Sequence, residues 1–233
     1  MNFSSRTLVV AAHPDDEVLG CGATMARIKS EGGVVQTIFL ADGESSRFLA
    51  SEIRSKEVIE RIRVRKEAAN SAAIILGSLP PKFFDFPDNR LDTISTLDIA
   101  KIIEKEIALF KPSRVITHFS GDINVDHQKV YGAVLAATRP QGDSCVTEVM
   151  CFELPSSTEW RPHGSGQNFF PNLFINVNGF EDQKFAALKA YEREMRPFPH
   201  PRSQEAILSL MKWRGATSNL FSAESFLLER GNY

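Results

Sequence analysis

The sequence predicts an α/β fold, a Rossmann-like three-layer α/β/α sandwich with a mainly parallel sheet. β-rich apolar runs alternate with longer amphipathic segments along residues 1–140, which is the pattern of right-handed strand–helix–strand crossovers. The first run, Leu8 to Ala12, carries no charge, as expected of a strand buried on both faces. Polar turns follow the strands, and we therefore expect a site at the carboxyl edge of the sheet.

Four strand–helix pairs account for the N-terminal part. The first helix ends at Gly32-Gly33, the second ends where Gly77 can adopt the left-handed conformation, and Pro112 stops the third. The predicted strands cover residues 8–12, 34–40, 82–86 and 114–119, and the predicted helices cover 17–30, 51–76, from Ser95 or Thr96 to Phe110, and 128–138.

Residues 141–233 are expected to complete the sheet and to carry the C-terminal helices. Strands are predicted at 149–154, 173–177 and 224–229, and helices at 180–194 and 203–213. The Pro-, Gly- and Ser-rich connection from Pro155 to Pro171 is typical of a lid or surface loop. We expect residues 1–233 to form a single domain, with residues 1–140 as the core that holds the site.

Composition excludes several classes of protein. The chain has 233 residues, of which 42% are hydrophobic and 24% charged, as in ordinary globular proteins. A net charge of −2 with scattered Lys and Arg disfavours nucleic-acid partners, and neither a signal peptide nor a run of roughly 18 apolar residues is found. Cys21, Cys145 and Cys151 are widely spaced, which fits a reducing compartment. We expect a cytoplasmic protein that does not insert into membranes, and the sequence leaves a homo-oligomer open.

The first strand ends in the cluster His13-Pro14-Asp15-Asp16-Glu17. Its acids alone also fit the start of a helix, where free N–H groups and the helix dipole favour carboxylates. A helix start does not explain the histidine. A histidine and a carboxylate three residues apart across a tight turn can bind one divalent ion and leave the second carboxylate free for proton transfer. Such a site needs another ligand from elsewhere in the chain.

A second polar turn, from Ser120 to His127, repeats this arrangement after the strand at residues 114–119. It leads into a helix whose start holds an acid and a histidine. Because the two strands are expected to be parallel, both turns lie at the same edge of the sheet. His127 is therefore the candidate for the missing ligand.

The pairing of HPDDE at His13–Glu17 with a downstream DxNxDH ending at His127 resembles the PIG-L/LmbE-like family of zinc-dependent N-deacetylases. The likeness extends to the helix that ends at Leu76-Gly77, the loop at 86–92 and the run from Arg214 to Phe226. It implies a Zn²⁺ ion held by His13, Asp16 and His127, with Asp15 as the catalytic carboxylate. Three such ligands leave zinc an open position for water and lower the pKa of that water to about 7, and Asp15 would hold and deprotonate it.

The resemblance also suggests roles for two residues of the second turn. Many relatives carry a histidine where this chain has Asn124, whose amide can donate a hydrogen bond to a developing oxyanion but cannot deliver a proton. We therefore predict that Asp15 passes the proton it takes from water to the leaving amine. Asp126 is grouped with the catalytic residues as a support for a metal ligand, and a helix N-cap is its alternative role.

Three residues are expected to contact substrate. The resemblance matches Arg65 to a substrate-contacting arginine and Asp88 to a carboxylate that binds sugar hydroxyls. His118, at the end of the strand before the second turn, is expected to line the pocket or to pack locally. His163, His200 and the Trp160-Arg161 pair could reach the pocket, with ordinary surface positions as the alternative.

Together these features predict a zinc hydrolase that removes the acetyl group from a small N-acetylated amino sugar or its conjugate and releases acetate. A different metal-assisted amide hydrolase or an esterase would use the same residues. The alternative from another class is a glycan-binding protein that keeps the fold but has lost the chemistry, and Asn124 slightly favours it. A dinucleotide-binding enzyme is disfavoured because the first turn lacks the motif GxGxxG.

Overall fold

Seven strands and six helices make up the described part of the chain in this computed structural model, which covers residues 2–142, 145–162, 164 and 166–232. The strands are β1 (Arg6–Ala11), β2 (Val34–Ala41), β3 (Lys82–Phe86), β4 (Arg114–His118), β5 (Glu148–Phe152), β6 (Leu173–Asn176) and β7 (Ala223–Gly231). The helices are α1 (Asp16–Ser30), α2 (Lys56–Leu76), α3 (Thr96–Phe110), α4 (Val125–Ala137), α5 (Glu181–Ala190) and α6 (Gln204–Ala216). Within these residues, no helix is both long and apolar enough to cross a membrane.

All seven strands join one sheet in the order β3-β2-β1-β4-β5-β7-β6. The first five strands of the chain are parallel, and only β7 runs antiparallel to its neighbours β5 and β6. The predicted mainly parallel sheet is confirmed. β1 pairs with β2 on one side and with β4 on the other, so the carboxyl ends of β1 and β4 lie next to each other.

Helices cover both faces of the sheet, which confirms the predicted three-layer sandwich. Val9 and Ala11 of β1 pack with α1, α2, α5 and α6 on one face. Leu8 and Val10 pack with α3 and α4 on the other face. Successive side chains of a strand point to opposite faces, and an uncharged run is therefore required where both faces are covered.

Two helices begin three or more residues away from their predicted starts, because a capping side chain sets each start. α2 begins at Lys56 rather than at residue 51. Ser55 is its N-cap and accepts a hydrogen bond from the N–H of Val58 at 3.3 Å. α4 begins at Val125, three residues before the predicted start, because Asn124 is its N-cap. α2 ends as predicted, with Gly77 at a φ of 70°.

Helix α1 is broken at Cys21, whose φ of −147° is not helical. Glu224 of β7 accepts the N–H groups of Ala23 and Thr24 at 3.1 and 2.7 Å, as an N-cap would. Lys184 of α5 donates to the carbonyl of Leu19 at 2.8 Å and to Glu224 at 2.6 Å. This buried ion pair satisfies the backbone groups that the break frees.

The predicted helix at 180–194 is shorter than expected. It ends at Ala190, and residues Glu192–Glu194 form a separate 3₁₀ turn. This change of direction brings Glu194 to Arg65 of α2, with which it forms an ion pair at 2.5 Å.

Candidate metal and catalytic site

The loops after β1 and β4 meet at the carboxyl edge of the sheet. The first holds His13, Asp15 and Asp16, and the second leads through Asp122 to His127 at the start of α4. The backbone N–H of Ala12 donates to the imidazole Nε2 of His118 at 2.8 Å, which ties the ends of β1 and β4 together. The parallel pairing of two distant strands therefore assembles the site.

His13, Asp16 and His127 converge, with one ligand atom from each lying within 4.8 Å of the others. Oδ2 of Asp16 lies 3.4 Å from Nδ1 of His13 and 3.5 Å from Nε2 of His127. All three side chains are buried. These are the three residues that sequence analysis predicts as metal ligands, and the structure brings them together.

The imidazole of His127 is oriented by the loop that precedes it. Its Nδ1 lies 3.0 Å from Oδ1 of Asp122 and 3.4 Å from Oγ of Ser157. Its Nε2 is buried and has no hydrogen-bond partner among the described residues. Burial alone would lower the pKa of His127, but Asp16 and Asp122 outweigh it and raise the pKa to about 9. The surroundings of this ring therefore favour positive charge.

His13 is held from behind by two carboxylates. Its Nε2 lies 2.9 Å from Oδ1 of Asp88 and 3.0 Å from Oδ2 of Asp126. Asp126 also accepts the N–H groups of Asn89 and Leu91 at 2.7 and 2.9 Å. His13, Asp88 and Asp126 could form a second cluster for a cation. Because the oxygens of Asp126 already accept backbone donors, we interpret this cluster as support for the His13 ring.

The donor set fits a zinc ion. Two imidazole nitrogens and one carboxylate oxygen are the ligands of many catalytic zinc sites, which use three protein groups. Each histidine also has a carboxylate at its other nitrogen, an arrangement that fixes the tautomer of metal-binding histidines. The pKa of Asp16 is held well below its usual range because the charge of His127 and hydrogen bonds from His127 and His13 outweigh the effect of burial, so this ligand is anionic.

Asp15 lies beside the three converging side chains in a strained backbone conformation, with a φ of 126°. It occupies the N-cap position of α1 but its side chain caps no N–H group, so the helix-start interpretation does not account for it. Oδ2 accepts Nη2 of Arg65 at 3.0 Å and Nη1 of Arg202 at 2.8 Å. Oδ1 is buried and unpaired within the described part of the chain. Burial outweighs the two arginines and raises the pKa of Asp15 to about 6.

Glu17 supports the backbone at Asp15. Its Oε2 accepts the N–H of Asp15 at 3.0 Å, and its Oε1 accepts the hydroxyl of Tyr191 at 2.8 Å. Burial raises the pKa of Glu17 to about 8. Glu17, to which sequence analysis assigned no catalytic or metal-binding role, therefore stabilises the strained turn at Asp15.

Arg65, a predicted substrate contact, is only 6% exposed. Besides Asp15, its guanidinium contacts the carbonyl of Pro14 at 2.9 Å, Glu44 at 3.0 Å and Glu194 at 2.5 Å. The structure thus places Arg65 against Asp15, with its donors engaged by protein acceptors.

Asp88 and His118, the other predicted substrate contacts, lie at different depths. Asp88 is 5% exposed and accepts the hydroxyl of Ser46 at 2.5 Å as well as contacting His13. His118 is completely buried and stacks against His127. This places His118 behind a predicted ligand rather than at a surface that substrate can reach.

Asn124 caps α4 through its side-chain oxygen, which accepts the N–H groups of Asp126 at 2.8 Å and His127 at 3.4 Å. The N-cap of α4 is therefore Asn124 and not Asp126, for which this role was the alternative prediction. Asp126 is fully buried in the first turn, where it contacts His13. The amide nitrogen of Asn124 is left as a donor.

Sequence analysis missed the roles of Asp122, Arg202 and Glu194. Asp122 lies in the same polar turn as His127, so a search for a carboxylate near the ligand could have found it. Arg202 and Glu194 come from the C-terminal part and carry no motif that links them to Asp15.

The histidines and the tryptophan that could reach the pocket have the following positions. His200 accepts the N–H of Arg202 at 3.0 Å, and half-exposed Trp160 packs edge-on against the His200 ring. His163 lies outside the described residues.

Residues 8–138 match the sequence model of the family described as PIG-L: GlcNAc-PI de-N-acetylase. This match covers more than half of the chain. The protein belongs to the PIG-L family. The resemblance inferred from HPDDE and DxNxDH is therefore confirmed, and both motifs lie inside the matched residues.

Two curated relatives cover most of the chain. The uncharacterized deacetylase YaiS of Escherichia coli K12 is 29% identical over 193 residues, which are 79% of this chain and 89% of YaiS. A probable N-acetyl-alpha-D-glucosaminyl L-malate deacetylase 2 of Bacillus cereus is 25% identical over 213 residues, covering 88% of this chain and 92% of that protein. The relatives of this PIG-L protein are deacetylases, and they extend the similarity beyond residue 138.

Solved structures share the fold at lower identity. An N,N'-diacetylchitobiose deacetylase from Pyrococcus horikoshii has a TM-score of 0.75 and 16% identity, covering 97% of this chain and 84% of its own. GalB, a 4-carboxy-2-hydroxymuconate hydratase from Pseudomonas putida, has a TM-score of 0.74 and 22% identity, with 98% of each chain covered. Since the PIG-L fold also carries a hydratase, the reaction must be argued from the site.

Proposed function

We propose that this protein is a zinc-dependent hydrolase that removes the acetyl group from an N-acetylated amino sugar or its conjugate and releases acetate. The observation that carries the proposal is the convergence of His13, Asp16 and His127, with Asp15 next to Asp16 in the chain and one of its carboxylate oxygens buried and unpaired among the described residues. The deacetylase relatives and the family description support the reaction and the sugar class. The free cysteines are consistent with a cytoplasmic protein.

Under this proposal His13, Asp16 and His127 hold the zinc ion, which supplies Lewis-acid activation of water and of the amide carbonyl. Asp122 orients His127, and Asp126 orients His13 as a positioning residue. Asp88 also orients the His13 ring, and we still propose that it binds a hydroxyl of the sugar substrate. We propose that His118 supports the ring of His127 and that Arg65 binds the carboxylate of Asp15. These roles replace the substrate contacts first expected for both residues.

Asp15 moves the proton. As the water oxygen bonds to the carbonyl carbon, Oδ1 of Asp15 takes a proton from that water. The amine nitrogen receives this proton when the C–N bond breaks, and the products are a free amine and acetic acid, which releases its proton and is acetate at neutral pH. The Asn124 amide nitrogen donates to the carbonyl oxygen while it carries negative charge. Burial favours the protonated form of Asp15, which helps this carboxylate to hold the proton between the two halves of the transfer.

Acetate release from a panel of N-acetylglucosamine conjugates, with zinc supplied, tests the proposal. We expect about one zinc per chain and turnover in the wild type, a loss of about 10²–10⁴-fold in kcat for Asp15→Asn with zinc retained, and loss of zinc for His127→Ala. Asp98→Asn, at an exposed position on α3, is the matched control. Zinc-free protein that binds a glycan would support the non-catalytic alternative, and turnover of acetate esters or other amides alone would support a different hydrolase.

A further inference from the structure

Arg202 reaches the site from the segment just before α6, 187 residues away from Asp15 in sequence. Its Nη1 donates to Oδ2 of Asp15 at 2.8 Å, and its Nε donates to the hydroxyl of Ser156 at 2.7 Å. The N–H of Arg202 donates to Nδ1 of His200 at 3.0 Å. Its side chain is 19% exposed, whereas that of Asp15 is 1% exposed. The arginine thus donates three hydrogen bonds, one of which goes to a buried carboxylate.

The two arginines on Asp15 are not equivalent. Arg65 divides its guanidinium among Asp15, Glu44, Glu194 and the carbonyl of Pro14. Among the described residues, Arg202 has a single close carboxylate partner in Asp15, since Glu194 lies farther away at 3.5 Å. Charge-assisted hydrogen bonds from a planar guanidinium restrict the rotation of a carboxylate more strongly than neutral ones. Arg202 is therefore well suited to fix the side-chain torsion of Asp15.

Both arginines bind the same oxygen, which leaves Oδ1 buried and unpaired in the described structure. We propose that Arg202 is a positioning residue that fixes Oδ2 of Asp15, so that Oδ1 is presented to the reacting water. The proposal rests on the role of Asp15 as the base, as proposed above. Arg202 acts through Asp15 and transfers no proton itself.

This assignment gives the C-terminal part a role in the chemistry. The family match ends at residue 138, yet Ser156 and Arg202 lie beyond it and together hold the side chain of a residue in the first motif. Ser156→Ala frees Nε of Arg202 without touching Asp15. We expect it to lower kcat in the same direction as a change at Arg202, but less.

The test compares Arg202→Gln, Arg202→Lys and Arg202→Ala with Arg196→Gln. Arg196 is an exposed arginine six residues earlier, whose described hydrogen bonds go to the backbone carbonyls of Arg193 and Met195. With a substrate that the wild type deacetylates, we expect Arg202→Gln to lower kcat about 10²-fold, the effect of a small misplacement of a catalytic group. KM and the zinc content are expected to stay close to wild type. Free guanidinium should restore part of the kcat of Arg202→Ala and none of that of Asp15→Asn.

Several results would overturn the assignment. A wild-type kcat in Arg202→Gln, or a rise in KM alone, would show that Arg202 does not act through Asp15. Loss of zinc in parallel with kcat would indicate a general structural role. Crystal structures of Arg202→Gln and Arg196→Gln give a readout without turnover, since we expect the Asp15 carboxylate to rotate only in the first. An unmoved carboxylate contradicts the role of Arg202, whereas an inactive wild type with the expected rotation contradicts only the proposed function.

Discussion

The imidazole rings of His118 and His127 stack with their centroids 4.0 Å apart and their planes 13° from parallel. Nε2 of His118 accepts the N–H of Ala12, and the ring of Phe152 packs edge-to-face with His118 at a centroid distance of 4.8 Å. Burial, together with the nearby His127, lowers the pKa of His118 well below its usual value. A neutral ring therefore lies behind the predicted metal ligand and restricts its position.

His118→Ala should weaken zinc binding without raising KM in the zinc-loaded enzyme. The change leaves a cavity behind His127 and an unpaired N–H at Ala12, and together these should cost about 2–4 kcal/mol of unfolding free energy. Zinc affinity from chelator competition and KM from acetate release are the measurements. Ile103→Ala, which opens a cavity in the core on the other face of the sheet, is the control and should lower stability alone. A raised KM with unchanged zinc affinity would instead restore the substrate contact first expected for His118.

Asp122→Asn should weaken zinc binding about 10–100-fold, the usual effect of removing a partner behind a metal ligand. Asp122 is 1% exposed and fixes Nδ1 of His127 as the donor, which leaves Nε2 for the metal. An asparagine can offer its own N–H to Nδ1 and so favour the wrong tautomer. Zinc competition at constant pH measures the loss, with Asp98→Asn as control. Unchanged affinity would show that the Asp122 contact does not set the orientation of His127.

The parallel core of the fold follows from local sequence signals. Uncharged runs such as residues 8–12 require burial on both faces, and the alternation with helices dictates parallel crossovers. The position of β7 does not follow in the same way. A run at 224–229 indicates a strand, but its antiparallel place between β5 and β6 depends on how the chain returns over the sheet. The break at Cys21 likewise depends on Glu224, about 200 residues away.

The predicted ligands His13, Asp16 and His127 could be found because HPDDE and DxNxDH resemble the family motifs and because both turns follow strands expected to be parallel, which places them at one edge of the sheet. Their supporting residues were harder to find. Arg65 lies on a helix full of charged residues, and its burial against Asp15 has no local signature. Arg202 resembles any surface arginine in sequence, because only the tertiary fold brings it to Asp15. Asn124 shows the opposite case, since its position before an acid and a histidine is a recognisable capping signal that was assigned to Asp126.

The buried pair Lys184 and Glu224 should be strongly coupled. The two side chains are 2% and 3% exposed and 2.6 Å apart, and both also satisfy backbone groups at the break in α1. Lys184→Met leaves Glu224 buried without its cation, and we expect a loss of about 3–5 kcal/mol in unfolding free energy from urea titration. The double variant Lys184→Met with Glu224→Gln should lose less than the sum of the single variants. Lys189→Met, at an exposed position on the same helix, should change little, and additive losses in the double variant would contradict coupling.

Glu194 should stabilise the protein in a pH-dependent way. It pairs with Arg65 at 2.5 Å and with Arg47 at 2.9 Å, and Arg202 lies 3.5 Å away. Burial alone would raise the pKa of Glu194, but these arginines outweigh it and lower the pKa below its usual value of 4.5. The unfolded chain then binds more protons than the native one around that pH, so stability rises with pH through this window. The contribution is complete above pH 4.5 and is lost as the pH falls through the lower native value.

Glu194→Gln therefore should be less stable than wild type by on the order of 2 kcal/mol near neutral pH, with the gap closing on acidification below about pH 4.5. Urea unfolding from pH 6.5 to 3.5, with a chelator present throughout, measures the gap without competition between protons and metal at His13 and His127. Glu192→Gln, an exposed neighbour in the same turn, is the control and should change the free energy of unfolding little. A gap for Glu194→Gln that widens toward low pH would contradict the sign of the linkage, because it would mean that the native state binds the extra proton.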